Sequence, residues 1–459
     1  MLSNSLLEAD REHLVHPLSS FRGHEREGVR VMASAKGVWL TDREGHELLD
    51  GFAGLWCVNV GYGHESIVEA AAEQMRRLPY ATGYFDLGSE PAIKLAEALA
   101  ERAPGDLDHV YFTLGGSDAV DSTIRFIRYY NHARGTPERD QFISLEQGFH
   151  GSSTAGAGLT ALKGFHTGFG VPFEWQHKIP SHYLYRNPVG SDPQTVIAAS
   201  VAALTAKVEE IGKDRVAAFY AEPIQGSGGV LVPPLGWVKA MAERCRELGI
   251  LFVADEVITG FGRTGPLFAC EEEGVVPDFM TVAKGLTAGY APLGAVFMAD
   301  HVYQTIADGA GDAAIGHGYT YSGHPVSTAV GLEVLKLYEG GLLDNGRRAG
   351  KRLMAGLESL GEHPLVGDVR GRGMLAAIEL VTDKGAKTPL PAAAEAGKRV
   401  FDRAYKNGLI VRAFAQGVIG FAPPLCCSDE EIDEIVARTR RVLDETLADA
   451  DVRAAMKDA

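Results

Sequence analysis

Through the middle of the chain, short apolar runs alternate with amphipathic stretches of helical period. Val110-Tyr-Phe-Thr113 reads as a strand, with Ser117–Tyr130 as the helix that follows it. Phe142-Ile-Ser-Leu145, Val216-Ala-Ala-Phe-Tyr-Ala221 and Ile250-Leu-Phe-Val-Ala254 read as further strands. Between the last two, Leu235–Leu248 is amphipathic and follows Pro233-Pro234, a helix-start signal. Strands that are apolar on both faces and separated by helices predict an α/β fold with a mostly parallel, doubly covered sheet. Towards the C-terminus the spacing predicts helices over 326–339, 345–360, 391–407 and 429–448. A strand, Met374–Leu380, is expected after the turn Arg370-Gly-Arg-Gly373. Near the N-terminus, Val38–Asp42 and Glu47–Asp50 predict a hairpin. The expected division is an N-terminal segment (1–60) packing with a small C-terminal α+β domain (331–459), and a large domain (61–330) between them.

Composition narrows the class. Hydrophobic residues make up 46% and charged residues 23%, which excludes a disordered or fibrous chain. Sixty acidic residues against 44 basic ones give a net charge of −16, which argues against nucleic acid as a partner. Glycine is in excess, 55 of 459 residues against roughly 7% on average, without a repeat or a Gly/Ser tract. The backbone must therefore turn sharply, or lie close to something, in many places. Five scattered cysteines form no disulfide or C-x-x-C pattern, and Cys426-Cys427 reads as packing. The N-terminus carries no secretory signal pattern, and the longest uncharged stretch, Gly285–Ala299, is short and broken by Gly and Pro. A soluble, cytoplasmic protein without a membrane partner is expected.

Two residues carry the most chemical information. Asp255 ends the apolar run that starts at Gly249, and Lys284 follows the run Phe279-Met-Thr-Val-Ala283. In an open α/β sheet, ligands bind beyond the carboxyl ends of strands. A lysine partly desolvated there has a lowered pKa, and its neutral amine becomes a nucleophile. Either residue alone reads equally as a helix cap or a solvated side chain. The pair, both at apolar strand ends in a glycine-dense stretch, favours a site. Thr113-Leu-Gly-Gly-Ser-Asp-Ala119 lies between a strand and a helix, where free N–H groups bind phosphate; it also suits a plain helix N-cap. Gly260-Phe-Gly-Arg-Thr-Gly265 fits the dinucleotide fingerprint G-x-G-x-x-G. Asp255–Thr259 separate it from the preceding strand, however, and no βαβ unit follows, so the spacing argues against that reading.

Taken together, these fragments resemble the class III (omega) pyridoxal-phosphate-dependent aminotransferases, a fold-type I group. The likeness runs through Leu251-Phe-Val-Ala-Asp255-Glu-Val-Ile-Thr-Gly-Phe-Gly-Arg-Thr-Gly265, Pro277-Asp278 and Ala283-Lys284-Gly-Leu-Thr-Ala-Gly-Tyr-Ala-Pro-Leu-Gly294. It extends to Asp50–Gly63, Phe149-His-Gly151, Glu222-Pro-Ile-Gln-Gly226, His317–Pro325 and Arg370–Gly373, and so covers nearly the whole chain. The Trp56 segment and His317–Pro325 look most like the amine:pyruvate and β-alanine:pyruvate enzymes.

The resemblance implies a seven-stranded-type sheet in the large domain, with pyridoxal 5′-phosphate as cofactor. By analogy, Lys284 would hold the cofactor aldehyde and, once displaced, shuttle a proton between substrate and cofactor carbons. Asp255 would pair with the pyridinium nitrogen. Gly116 and Ser117 would bind the phosphate, with Thr320 supplied by the other subunit of a homodimer or dimer of dimers. Phe149, beside His150, would stack on one ring face and Val257 on the other, while Glu222 orients the site. Trp56, Tyr84 and Phe85 would line an apolar substrate pocket, and Arg412 would bind an acceptor carboxylate.

The implied reaction is amino-group transfer from an amine or ω-amino acid to pyruvate by a ping-pong cycle. The alternatives are 2-oxoglutarate as acceptor, an aminomutase or decarboxylase reaction, and, more remotely, an NAD-dependent oxidoreductase. Three positions depart from the wider family: Leu114-Gly115 before the phosphate-binding pair, Phe149 where many members have Tyr, and Ile258 where many have Gln.

Overall fold

A computed structural model describes residues 2–391, 395–414 and 417–457. The strands expected in the middle of the chain belong to one seven-stranded sheet, which also takes in Gly294–Met298 and Gln176–Ile179. In spatial order it runs His109–Thr113, Gly294–Met298, Phe279–Val282, Leu251–Asp255, Val216–Ala221, Gln141–Leu145 and Gln176–Ile179. The last five pair in parallel, while Gly294–Met298 is antiparallel to both its neighbours. That strand comes from the uncharged stretch 285–299, whose residues are apolar because both faces of the sheet are covered there. His109–Thr113 consequently runs in the same direction as the parallel strands. Its carboxyl end lies at the same sheet edge as those of Leu251–Asp255 and Phe279–Val282.

Helices cover the sheet with the faces the pattern predicts. Gly116–Ala133 buries Val120, Ile124 and Ile127 on one stripe, and Ala119, Thr123, Phe126 and Tyr130 beside it. The helix expected over 235–248 begins at Trp237, because Gly236 takes a left-handed conformation (φ 93°) after the two prolines. It buries Trp237, Val238, Met241 and Cys245 against the sheet. Full burial of each large apolar side chain stabilises the fold by about 1.5–3 kcal/mol.

Two smaller sheets flank this body. Met32–Lys36, Trp39–Asp42 and Glu47–Asp50 are antiparallel, and Leu409–Ile410 joins them parallel to Glu47–Asp50. The N-terminal hairpin is thereby paired with a segment far along the chain, Leu409 opposite Leu49 and Ile410 opposite Asp50. The third sheet contains Val366–Arg372, Leu375–Asp383, Val418–Phe421 and Arg412–Ala413. The helix expected over 391–407 is observed as Ala396–Lys406; residues 392–394 lie outside the described residues. Asp429–Leu447 opens on a capping box between Ser428 and Glu431. Among the described residues, no helix is long and apolar enough to cross a membrane.

Candidate active site

Register brings the key pair together. Asp255 lies opposite Thr281 in the parallel ladder, and Lys284 follows three residues later, past the end of its strand. Side chains alternate along a strand, so Asp255 and Glu256 diverge. Glu256 turns away from the pocket and accepts from the N–H groups of Ala269 (3.0 Å) and Cys270 (2.8 Å), capping a short helical turn. Asp255 faces the pocket. One carboxylate oxygen meets Nδ1 of His150 at 2.8 Å, and the other accepts from the Val257 N–H at 3.2 Å. His150 is itself buried, with its edge towards Tyr220 (5.9 Å), and its backbone N–H is held by the Thr160 hydroxyl at 2.8 Å.

Lys284 has φ of 28°, a strained value for a residue with a side chain. Burial pushes its amine below the ordinary lysine pKa, while the nearby Asp255 carboxylate opposes that shift. Its Nζ lies 5.9 Å from the Trp56 ring centroid. The next residue, Gly285, permits this turn: a Cβ there would sit 2.7 Å from Asn59 Nδ2 and 2.8 Å from Phe261 Cβ. Glu222 is buried beside the pair and accepts from the N–H groups of Phe149 and Gly226, both at 2.9 Å. Burial and the Asp255 charge push its carboxyl up to about 8, so it is protonated at neutral pH. Gly116, Ser117, Phe149, His150, Glu222, Asp255, Val257 and Lys284, all expected in the site, line one cavity of about 120 Å³.

The family model of class-III aminotransferases matches residues 22–443. The chain belongs to the class-III aminotransferases. It is 39% identical to a putrescine–pyruvate aminotransferase of Pseudomonas aeruginosa over 440 residues, covering 95% of each chain. It is also 39% identical to a diaminobutyrate–2-oxoglutarate transaminase of Halomonas elongata over 448 residues, again covering 95% of each. Among solved structures, an (S)-enantioselective omega-transaminase from Thermomicrobium roseum superposes with a TM-score of 0.94 at 40% identity, covering 97% of this chain and 99% of that one. The omega-transaminase of Pseudomonas jessenii in complex with PMP gives 0.94 at 36% identity, over 96% and 98% of the two chains. The fold is that of a fold-type I enzyme, and the class-III aminotransferases depend on pyridoxal phosphate.

The residues of this class-III aminotransferase fit that group. Gly115 caps the helix Gly116–Ala133 without any side-chain hydrogen bond, which leaves the first N–H groups for an anion. A Cβ on Gly116 would sit 2.9 Å from Val257, so glycine alone lets Val257 close the pocket beside the helix start. Ser117 Oγ accepts from the Ser152 N–H at 3.1 Å. Within the same pocket, Nε2 of His150 is buried without a partner among the described residues.

Other expected site residues lie apart from the cavity. Thr320 is exposed, and its carbonyl accepts from the Tyr80 hydroxyl at 3.0 Å. Tyr84 packs its hydroxyl over Gly318, and neighbouring Phe85 is 86% exposed. Those three residues therefore share one outward face within a single chain. Trp56 is buried beside Phe52 and belongs to an apolar cluster with Ile258 and Phe414. Arg412 is half-buried over the Phe414 ring (5.4 Å), and its Nε has no partner among the described residues. Ile258, where many relatives carry a polar residue, fills the space above Gly226 instead.

Two features escaped the sequence reading. The His150–Asp255 contact joins residues 105 apart, and only the sheet order creates it. Arg263, inside the G-x-G-x-x-G stretch, is fully buried and donates to the carbonyls of Met374 (3.2 Å) and Pro423 (2.6 Å) and to Asn59 Oδ1 (2.5 Å). No helix opens at Gly265; a short helical turn, Ala269–Glu273, follows instead. The glycines permit close packing: a Cβ would meet the Glu256 carbonyl at Gly260, and Leu343 and Leu425 at Gly262.

Proposed function

We propose that this aminotransferase moves an amino group from an amine or ω-amino acid donor to pyruvate, in two half-reactions on one site. The observation that carries this reading is Arg412, a half-buried guanidinium without an ionic partner among the described residues, beside the apolar Trp56–Ile258–Phe414 cluster. A guanidinium clamps one carboxylate in a bidentate manner. Pyruvate has one carboxylate. 2-Oxoglutarate needs a second cation, and among the described residues that line the Lys284 cavity the one other cation is Lys284 itself.

In this reading the pocket residues divide the work. Gly116 and Ser117 hold the phosphate at the helix start, Phe149 and Val257 flank the ring, and Asp255 faces its nitrogen, oriented by His150. Bound pyridoxal phosphate supplies an electron sink that makes a proton on the substrate carbon removable. Lys284 Nζ, whose pKa burial lowers, takes that proton and returns it one position along. Protonated Glu222 keeps the Phe149 backbone in place without adding a second negative charge near Asp255. A second copy of the chain supplies Thr320 to the phosphate, and Trp56, Tyr84 and Phe85 line the substrate side. Reading residues 61–330 as the large domain, and 1–60 with 331–459 as the small one, puts Lys284 and Arg412 on different units, so closure brings them to one substrate.

The similarity to a diaminobutyrate–2-oxoglutarate transaminase, equal in identity to that to the pyruvate enzyme, supports a second reading, in which 2-oxoglutarate is the acceptor. Acceptor kinetics with a fixed diamine or ω-amino acid donor separate the two. Higher kcat/KM for pyruvate supports the proposal; preference for 2-oxoglutarate refutes it.

A further inference from the structure

Away from the active site, the N-terminal segment buries an unusual group. Asp10, on the helix Leu2–His13, faces His16 and His24, the latter on the helix Phe21–Glu27. Its side chain and that of His24 are 10% and 11% exposed. Asp10 Oδ1 meets His16 Nε2 at 2.7 Å, while Oδ2 lies 3.2 Å from His24 Nε2. The second contact lacks hydrogen-bond geometry, so Oδ2 of Asp10 and Nε2 of His24 are both buried without a partner among the described residues. Leaving such atoms unsatisfied costs stability. A proton between one imidazole and the carboxylate satisfies only one side of this cluster. A cation at its centre would satisfy all three groups through their lone pairs.

We propose that Asp10, His16 and His24 form a zinc site that staples the two N-terminal helices together. One ligand atom from each residue can be chosen so that all lie within 4.8 Å of one another. Donors around a tetrahedral zinc, each at roughly 2.0–2.1 Å from the ion, stand about 3.4 Å apart, so small side-chain shifts close the site. Two imidazoles and one carboxylate suit zinc better than magnesium or calcium, which prefer more oxygen ligands. Three protein ligands leave the fourth position to water.

The scaffold is already ordered for this. The Ser19 hydroxyl donates to the His16 carbonyl at 2.8 Å, and Ser20 caps the second helix through the Gly23 N–H at 3.1 Å. The turn between the helices carries Pro17 and Leu18 into a cavity of about 340 Å³ with Ser152, Phe165 and Phe169. Phe165 meets Phe149 edge-on at 5.1 Å, so the stapled turn adjoins the wall of the Lys284 pocket.

The test is zinc titration of tag-free holoenzyme against a chromophoric chelator, comparing wild type with His24→Ala and Asp10→Asn. The proposal expects one tight zinc per wild-type chain and binding weakened by about tenfold or more in each variant. Weak zinc binding by the cofactor is common to all three proteins and cancels. Retained visible cofactor absorbance and an unchanged far-ultraviolet spectrum report that the variants fold. Zinc should also slow protease cleavage within residues 14–20 of wild type but not of His24→Ala. Equal zinc binding by wild type and His24→Ala, or zinc bound without protection, overturns the proposal.

Discussion

The two halves of the site are built differently. The half around Asp255 and Lys284 is complete within one chain: its groups are buried, bridged by hydrogen bonds and fixed by sheet register. The half expected to recognise substrate is scattered. Trp56 ends a short helical turn after the N-terminal sheet and Arg412 lies in the third sheet, while Tyr84 and Phe85 face outward. Chemistry common to a family can be locked into a core, where preorganisation strengthens electrostatic effects. Recognition sits on segments that assemble or move, where sequence can vary without loss of the fold.

Substitutions in each half should therefore fail in different ways. Lys284→Ala should show the largest effect, a loss of amino transfer on the order of 10⁴-fold with the fold intact, measured by steady-state rate and circular dichroism. Arg263→Ala should instead unfold more easily, by about 3 kcal/mol in denaturant titration, because it strands the Asn59, Met374 and Pro423 acceptors. Arg412→Ala should raise KM for the keto-acid acceptor by roughly ten- to a hundredfold and leave KM for a carboxyl-free amine nearly unchanged. An equal rise for both would place Arg412 in the scaffold.

The smallest effect concerns pH. Glu222 carries a raised pKa, from 4.5 to about 8, so the folded chain retains a proton that the unfolded chain releases. Its stabilising contribution is complete below the unfolded value and is lost as pH rises through about 8. Glu222→Gln, neutral throughout, should gain thermal stability relative to wild type as pH rises across that window. A difference in Tm independent of pH would contradict the assignment.

What the chain announces and what it hides follow the same division. Asp255 and Lys284 were legible because each ends an apolar run, and a parallel sheet puts such ends at one edge. The Gly115-Gly116 turn was legible because a strand and a helix bracket it. The strand Gly294–Met298 was not, since a buried antiparallel insertion has no alternation to reveal it. Nor was Gln176–Ile179, an edge strand whose His177 and Lys178 break the apolar run. The His150–Asp255 contact and the contacts of Arg263 stayed hidden for a third reason: the partners lie far off in sequence, and no local pattern encodes them. The role proposed for Thr320 depends on a second copy, and one sequence carries no signal of its mate's geometry.

Subunit complementation tests the central claim, that one chain supplies Lys284 and Asp255 to the pocket while a second copy supplies Thr320 to the phosphate of that same site. Lys284→Ala and Thr320→Glu would be co-expressed with different tags, and the hybrids confirmed by native mass spectrometry. Each homodimer should be nearly inactive, one lacking the amine and the other repelling the cofactor phosphate. Each hybrid should restore one intact site, bringing a random mixture to roughly a quarter of wild-type activity. Hybrids that form but recover nothing beyond the parent homodimers would contradict the account.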